Sequence, residues 1–344
     1  MRYKLLGRSG LRVSELALGT MTFGQDWGWG ASQEEARKQF DLFVAAGGNF
    51  VDTSVNYTNG TAEQYVGELI HPRRDYFVVG TKYSLSRDWD DPNGGGNTRK
   101  NMHVSLELSL KRLQTDYVDL YWLHLWDCMT PIEEVMRALD DMVRAGKVLY
   151  VGISDSPAWI VSRAVTLAEL RGWTAFTALQ IEYSLVERTV ERELLPMART
   201  LDLAVTPWGI LGSGMLSGKY VKKDAAGRIT DRTEAGKLKA RNMKIAETVG
   251  QVAKEIGKTP SQVAVNWVRQ QPGVIIPILG ARTLDQLKDN LGALEFSLAP
   301  EQMKKLHDAS VVEMGFPHSF AASPFINNIV YSGRFEEIDN HREK

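Results

Sequence analysis

Short apolar or β-branched runs alternate with amphipathic stretches of helical length along almost the whole chain, the pattern expected when parallel strands are joined by helical crossovers. Eight strand candidates stand out: Leu16 to Leu18, Phe50 to Asp52, Phe77 to Thr81, Val118 to Leu123, Val148 to Ile153, Ala178 to Ile181, Ala204 to Pro207 and Val274 to Ile278. Helix starts between them are signalled by capping chemistry. Ser32 with Glu35 reads as a capping box, and Thr130, Pro131 and Glu133 read as a cap, an N1 proline and a first-turn acid. Ahead of the first strand candidate, Tyr3 to Leu5 and Leu11 to Val13 flank Gly7 to Gly10, which predicts a β-hairpin outside the repeat, placed to plug one end of a barrel.

Neither a composition shift nor a flexible linker divides the 344 residues. Eight βα units therefore fit one (β/α)8 TIM barrel better than a doubly wound sheet. The expected domain spans 1–344, with the tail from about 310 to 344 either a rim of the site or a surface excursion. Three stretches exceed ordinary loop length: Tyr83 to Asn97, Gly209 to Arg241, and the tail after Ser310. Long loops at one barrel face usually shape the site.

A barrel carries its chemistry just after the carboxyl ends of its strands. In this sequence those places hold Gly19 and Thr20, Asp52, Lys82, His124, Ser154 and Asp155, Gln180 and Glu182, Trp208, and Gly280 with Arg282. A lysine at the end of a buried strand needs an anionic partner, and Asp52 on the preceding strand can supply one. Tyr57 follows Asp52 by five residues. There a nearby ammonium is expected to favour phenolate and lower the hydroxyl's pKa from about 10, which suits a general acid. His124 can hold a carbonyl oxygen or share in proton transfer. Each residue alone also has a plain structural reading, as a strand-end ion pair or a packed histidine.

Charge narrows the ligand. Lys and Arg number 41 against 42 Asp and Glu, so a net charge of −1 offers no broad field for nucleic acid or an anionic membrane. A small neutral or weakly charged ligand fits better. The one cysteine, Cys128, excludes a disulfide framework within the chain and any multi-cysteine metal site, and the six histidines show no HExxH pair, so no metal is expected. With no signal-type leader and no run near the roughly 20 apolar residues of a membrane span, the chain reads as cytoplasmic and mature from Met1.

Seven ordered segments bring a family into view: GTMTFG (Gly19 to Gly24), GGNFVDTSVNYTNGTAE (Gly47 to Glu63), GTKYS (Gly80 to Ser84), DLYWLHLWD (Asp119 to Asp127), GKVLYVGISDSPAW (Gly146 to Trp159), TPWGILGSGMLSGKY (Thr206 to Tyr220) and PILGARTLDQLKDNL (Pro277 to Leu291). From about Tyr3 to about His307 the sequence resembles the aldo-keto reductases, closest to their aryl-alcohol-dehydrogenase-like branch. The resemblance implies a catalytic tetrad of Asp52, Tyr57, Lys82 and His124, and reversible carbonyl reduction in which nicotinamide hydride reaches carbon while Tyr57 protonates oxygen.

The resemblance also implies the cofactor contacts. Gly19, Thr20 and Met21 would lie near the cofactor, Ser154, Asp155 and Gln180 would bond the carboxamide, and Trp208 would stack on the nicotinamide. The family usually has Asn where Asp155 stands. The segment with Gly209, Ile210, Leu211, Gly214 and Lys219 would fold over the pyrophosphate; Ser213 and Tyr220 exclude a Walker loop. Gly280, Arg282, Gln286, Asp289 and Asn290 would hold the adenosine end, where the planar fork of Arg282 favours NADPH, with NADH the alternative if Arg282 serves only a helix surface.

Phe23, Trp27, Trp29, Trp89 and Trp126 fall at the expected mouth, with Phe316 and Phe320 in reach from the tail, which suggests an apolar or aromatic carbonyl or alcohol substrate; packing or an oligomer contact is the other reading. Two other functions stay open. One is a non-catalytic NADPH-binding regulatory subunit similar to the potassium-channel β subunits, and the other a cofactor-free lyase or isomerase using Lys82 as a Schiff-base nucleophile.

Overall fold

A computed structural model describes residues 1–218 and 240–340. These form two compact units, Met1–Ser310 and Val311–Lys344. In the first, β1 (Tyr3–Leu5) pairs antiparallel with β2 (Arg12–Ser14), close to the predicted hairpin. The eight remaining strands are parallel: β3 (Ala17–Gly19), β4 (Phe50–Asp52), β5 (Val78–Tyr83), β6 (Val118–Leu123), β7 (Val148–Ser154), β8 (Ala178–Glu182), β9 (Ala204–Trp208) and β10 (Ile278–Leu279). Their order is β10-β3-β4-β5-β6-β7-β8-β9, and a bridge between Val205 and Ile275 closes the ring as a (β/α)8 barrel.

The last strand departs from the sequence expectation of Val274 to Ile278. Val205 N–H donates to the Val274 carbonyl and Ile276 N–H to the Val205 carbonyl, while Ile278 and Leu279 pair with β3 on the other side. Pro277 stands between the two pairings; it has no N–H to offer a ladder, and its carbonyl accepts from Ala17 N–H. The strand therefore serves each neighbour with a different half.

The crossovers are α1 (Gln33–Ala45), α2 (Thr61–Ile70), α3 (Arg99–Leu113), α4 (Ile132–Arg144), α5 (Ala158–Arg171), α6 (Leu194–Thr200), and α7 (Ala240–Glu255) with α8 (Pro260–Arg269). After β10 come α9 (Leu284–Leu291) and α10 (Pro300–Ala309). Among the described residues, no helix is long and apolar enough to cross a membrane. Two caps differ from the reading of the sequence. Ser32 accepts from Glu35 N–H as expected, but the Glu35 carboxylate accepts from Leu284 N–H instead of reaching back, so it ties α1 to the start of α9. Pro131 takes the N-cap of α4, one place later than predicted, because the Thr130 hydroxyl donates to Asp127.

Inside the barrel, Leu6 and Val13 of the hairpin are buried with Ala17, Phe50, Val78, Ala178 and Ala204, the first residues of five strands. The hairpin thus closes the amino end. Higher up, Trp122 fills the interior: a Cβ on Gly80 or Gly152 of the flanking strands would lie 2.8 or 2.3 Å from its ring. Glycine at both places makes room for one large plug, which leaves the carboxyl end for chemistry.

The second unit carries α11 (His318–Ala321) and α12 (Pro324–Val330), with the rings of Phe316 and Phe320 6.1 Å apart.

Candidate active site

Parallel register sets neighbouring strand ends side by side. Asp52 closes β4, Lys82 sits one residue before the end of β5, and His124 follows β6 directly. Lys82 is fully buried, and its ammonium donates to Asp52 Oδ2 at 2.5 Å, to the Thr53 carbonyl at 2.8 Å and to the Tyr57 hydroxyl at 3.2 Å. The other Asp52 oxygen accepts from Gln180 Nε2 at 3.1 Å. Three bonds saturate the ammonium, so Lys82 is held as a cation and has no lone pair for imine formation.

Tyr57 lies in a short helical turn, Tyr57–Gly60, that delivers its hydroxyl over Lys82. His124 stands edge-on to the Tyr57 ring, with centroids 5.9 Å apart, and its Nδ1 meets the Ser54 hydroxyl at 3.2 Å. No described residue bonds its Nε2.

Burial decides most protonation states here. It pulls the Lys82 ammonium's pKa down, but the charge of Asp52 and the Tyr57 hydroxyl outweigh it and raise the net value. Burial pushes Asp52 up against the opposing pull of Lys82. His124 is driven well below the usual imidazole range, first by burial and then by Lys82, so it is neutral at pH 7. Tyr57 corrects the sequence expectation. Burial raises its hydroxyl, Asp52 and Asp155 add to the rise, and together they exceed the lowering by Lys82. The resting tyrosine is a phenol.

The expected cofactor residues divide into those with bonding capacity to spare and those already engaged. Ser154 closes β7, and its buried hydroxyl makes no well-formed hydrogen bond among the described residues, although it acts on the neighbouring Asp155 carboxylate. Asp155 follows in a left-handed conformation, φ +39°, and its Oδ1 accepts from Trp208 Nε1 at 3.1 Å. Burial pushes the Asp155 carboxyl up to about 6. Gly209 and Gly214 take positive φ of 67° and 87°. Gly214 N–H donates to the Leu211 carbonyl, whereas the N–H groups of Gly209, Ile210 and Leu211 have no acceptor among the described residues. Lys219 lies outside the described residues.

The Gln180 amide nitrogen donates to the Asp52 carboxylate, and the Thr20 hydroxyl donates to the Asp52 backbone carbonyl. Gly19 is packed tightly, since a Cβ there would lie 2.6 Å from Ile278 Cγ2, while Met21 is exposed. Near α9, the Arg282 guanidinium lies 5.3 Å from the Trp29 ring centroid, and its backbone N–H donates to Gln286 Oε1. Gly280 opens on free space. Asp289 is occupied by the Thr259 hydroxyl and the Gln262 amide at the start of α8. Asn290 is buried, and no described residue bonds its amide.

The aromatic set is scattered. Phe23 is a correction: it is fully buried in the core and does not line the mouth, because Phe23 N–H donates to the Thr20 carbonyl and the Thr58 hydroxyl holds the Phe23 carbonyl. Trp27 is half-buried, 5.5 Å from the Trp29 ring, and donates to Asn59. Trp126 is half-buried against the core, and Trp89 is 92% exposed.

A buried support went unread in the sequence. Glu63 accepts from the Thr81 hydroxyl at 2.7 Å and from Arg112 at 3.2 Å, and Arg112 also donates to the Val55 carbonyl at 2.7 Å. This network joins the Tyr57 loop to the strand of Lys82. Glu63 sits six residues after Tyr57, a usable hint, but Arg112 is 49 residues further on and nothing local announces it.

A (β/α)8 barrel that gathers an ammonium, a carboxylate, a phenol and a neutral imidazole at its carboxyl face is built as an enzyme. The chain belongs to the aldo/keto reductase family, whose model matches residues 15–310, and is an oxidoreductase. It is 36% identical over 342 residues to the aryl-alcohol dehydrogenase [NADP(+)] of Phanerodontia chrysosporium, covering 94% of this chain and 89% of that protein. An aryl-alcohol dehydrogenase of Pestalotiopsis microspora is 39% identical, with coverages of 93% and 85%. The norsolorinic acid reductase of Aspergillus flavus is 35% identical, with coverages of 92% and 82%.

Proposed function

We propose that this protein interconverts aldehydes or ketones and their alcohols with NADP(H), and that Tyr57 is the proton donor to the carbonyl oxygen. The observation that carries the reading is the 3.2 Å contact between the Lys82 ammonium and the Tyr57 hydroxyl. A phenol raised by burial holds its proton until the carbonyl oxygen gathers charge. As the proton leaves, phenolate forms beside a cation already locked by Asp52, so Lys82 stabilises the transition state more than the ground state. NADPH, when bound, would supply the hydride for the carbonyl carbon.

His124 orients the carbonyl. The single Ser54 proton has three acceptors in reach, Asn56 Oδ1, His124 Nδ1 and the Lys82 carbonyl; pointed at Nδ1, it leaves the neutral ring protonated on Nε2, a donor for the same oxygen.

The residues present fit the cofactor. The buried Ser154 hydroxyl and the acceptor oxygens of Asp155 suit a carboxamide, and the N–H groups of Gly209 to Leu211 suit a pyrophosphate. Arg282 beside Trp29 suits the 2′-phosphate, and Asn290 the adenine. Gln180 and Thr20 support Asp52, and Asp289 supports α8. The names of the relatives and the half-buried Trp27 and Trp126 favour an aromatic substrate.

Initial rates of NADPH consumption across aromatic aldehydes and ketones, with NADH in parallel, test this. Turnover with NADPH is expected. Tight NADPH binding with no turnover on any carbonyl marks a regulatory subunit instead, and no NADPH binding at all overturns the reading.

A further inference from the structure

We infer that Asp155 makes this site prefer the oxidised, positively charged nicotinamide over the reduced, neutral one, biasing the enzyme towards alcohol oxidation. The inference rests on the cofactor reading above and adds a redox preference to it.

It begins from a count of charge at the barrel mouth. Lys82 and Asp52 lie 2.5 Å apart and largely cancel for any ligand beyond them. His124 is neutral and Tyr57 is a phenol. What remains among the described residues is the carboxylate of Asp155, with Glu182 acting on it from the end of β8. The polar groups on Asp155 are the indole N–H of Trp208, at 3.1 Å, and the Ser154 hydroxyl, neutral donors that leave the charge in place. Among the described residues, Lys82 is the cation that acts on Asp155, and its ammonium is bonded to Asp52.

The two cofactor states differ by one positive charge on the ring. A carboxylate at the carboxamide end therefore stabilises the oxidised ring and leaves the reduced ring nearly untouched. The indole contact works the same way. By accepting a hydrogen bond from the indole N–H, Nε1 to Oδ1 3.1 Å, Asp155 fixes the Trp208 ring and enriches its π face, which would attract a cationic ring stacked on it.

The backbone allows a clean test. Asp155 sits at φ +39°, a left-handed conformation that Asn tolerates as well as Asp, and an amide oxygen can still accept from Trp208. Asp155→Asn removes charge and little else.

Dissociation constants for NADP+ and NADPH are measured by quenching of tryptophan fluorescence, without substrate, for wild type and Asp155→Asn at pH 8. The wild-type preference for NADP+ is expected to fall on the order of tenfold in the variant. A second arm needs no mutation. Asp155 faces Lys82, Glu182 and Tyr57, and with its carboxyl near 6 it loses charge between pH 8 and pH 5. The wild-type ratio should move towards that of the variant over this range while the variant's stays flat; the 2′-phosphate, common to both forms, drops out of the ratio. If both forms bind and Asp155→Asn leaves the ratio unchanged, the inference is wrong and the cofactor reading stands. If wild type binds neither form, the cofactor reading fails first.

Discussion

The Lys82 ammonium lies 3.2 Å from the Tyr57 hydroxyl, the end of a chain of contacts that runs from Gln180 through Asp52 to Lys82. Removing the middle of that chain should be felt twice. Lys82→Met leaves Asp52 buried and unpaired, which costs about 3–5 kcal/mol in urea unfolding, and pairing it with Asp52→Asn should recover most of that loss. Carbonyl reduction should stay below a hundredth of wild type in both proteins, because the phenolate has lost its cation. Recovered stability with recovered activity would remove Lys82 from the proton step.

The Glu63 and Arg112 network should act on position more than on chemistry. Arg112→Leu strands the buried Glu63 carboxylate and frees the Val55 carbonyl, so unfolding free energy should drop by about 3 kcal/mol. The double variant Glu63→Gln/Arg112→Leu should regain stability yet keep a reduced kcat, since the loop carrying Tyr57 has lost its tether. Full kcat in the double variant would make the network a folding element alone.

Much of this was legible in the chain, and the reasons are local. Strand ends announce themselves through period and composition, so Asp52, Lys82 and His124 could be placed on adjacent strands, and the hairpin followed from glycine and alternation. The split strand around Pro277 was less legible, because its two halves answer to β9 and β3, which are distant in sequence. The protonation of Tyr57 is not legible in the chain, because the sequence reveals the neighbouring lysine but not the desolvation that outweighs it. The burial of Phe23 is hidden for a related reason: a loop aromatic looks like a rim residue until the Thr58 hydroxyl and its own backbone bonds turn it inward.

Arg282 should select between cofactors. Its guanidinium stands over Trp29, free of any carboxylate among the described residues, and suits a dianionic phosphate. Arg282→Ala should weaken NADPH binding by at least about tenfold and NADH binding by less than about threefold, read by fluorescence titration. Equal losses would place Arg282 outside phosphate recognition.

Asp155 should leave a mark on stability as well as on redox preference. Its carboxyl is raised in the folded state to about 6, so the folded protein favours the protonated form. That contribution is complete below the unfolded value near 4 and is lost as pH rises through about 6. Asp155→Asn should therefore match wild type at pH 4.5 more closely than at pH 8, where it should be the more stable protein by on the order of 2 kcal/mol. An identical difference at both pH values would show that Asp155 is not buried as a charge.

The claim that matters most is that hydride arrives from the nicotinamide while the proton comes from Tyr57. Wild type and Tyr57→Phe are mixed with NADPH deuterated at both C4 positions and an aromatic aldehyde, and the alcohol is weighed by mass spectrometry. The account predicts one deuterium on the carbinol carbon with wild type, and at least about a hundredfold less labelled alcohol from Tyr57→Phe at undiminished NADPH affinity. Unlabelled alcohol from wild type, or full labelled yield from Tyr57→Phe, would contradict it.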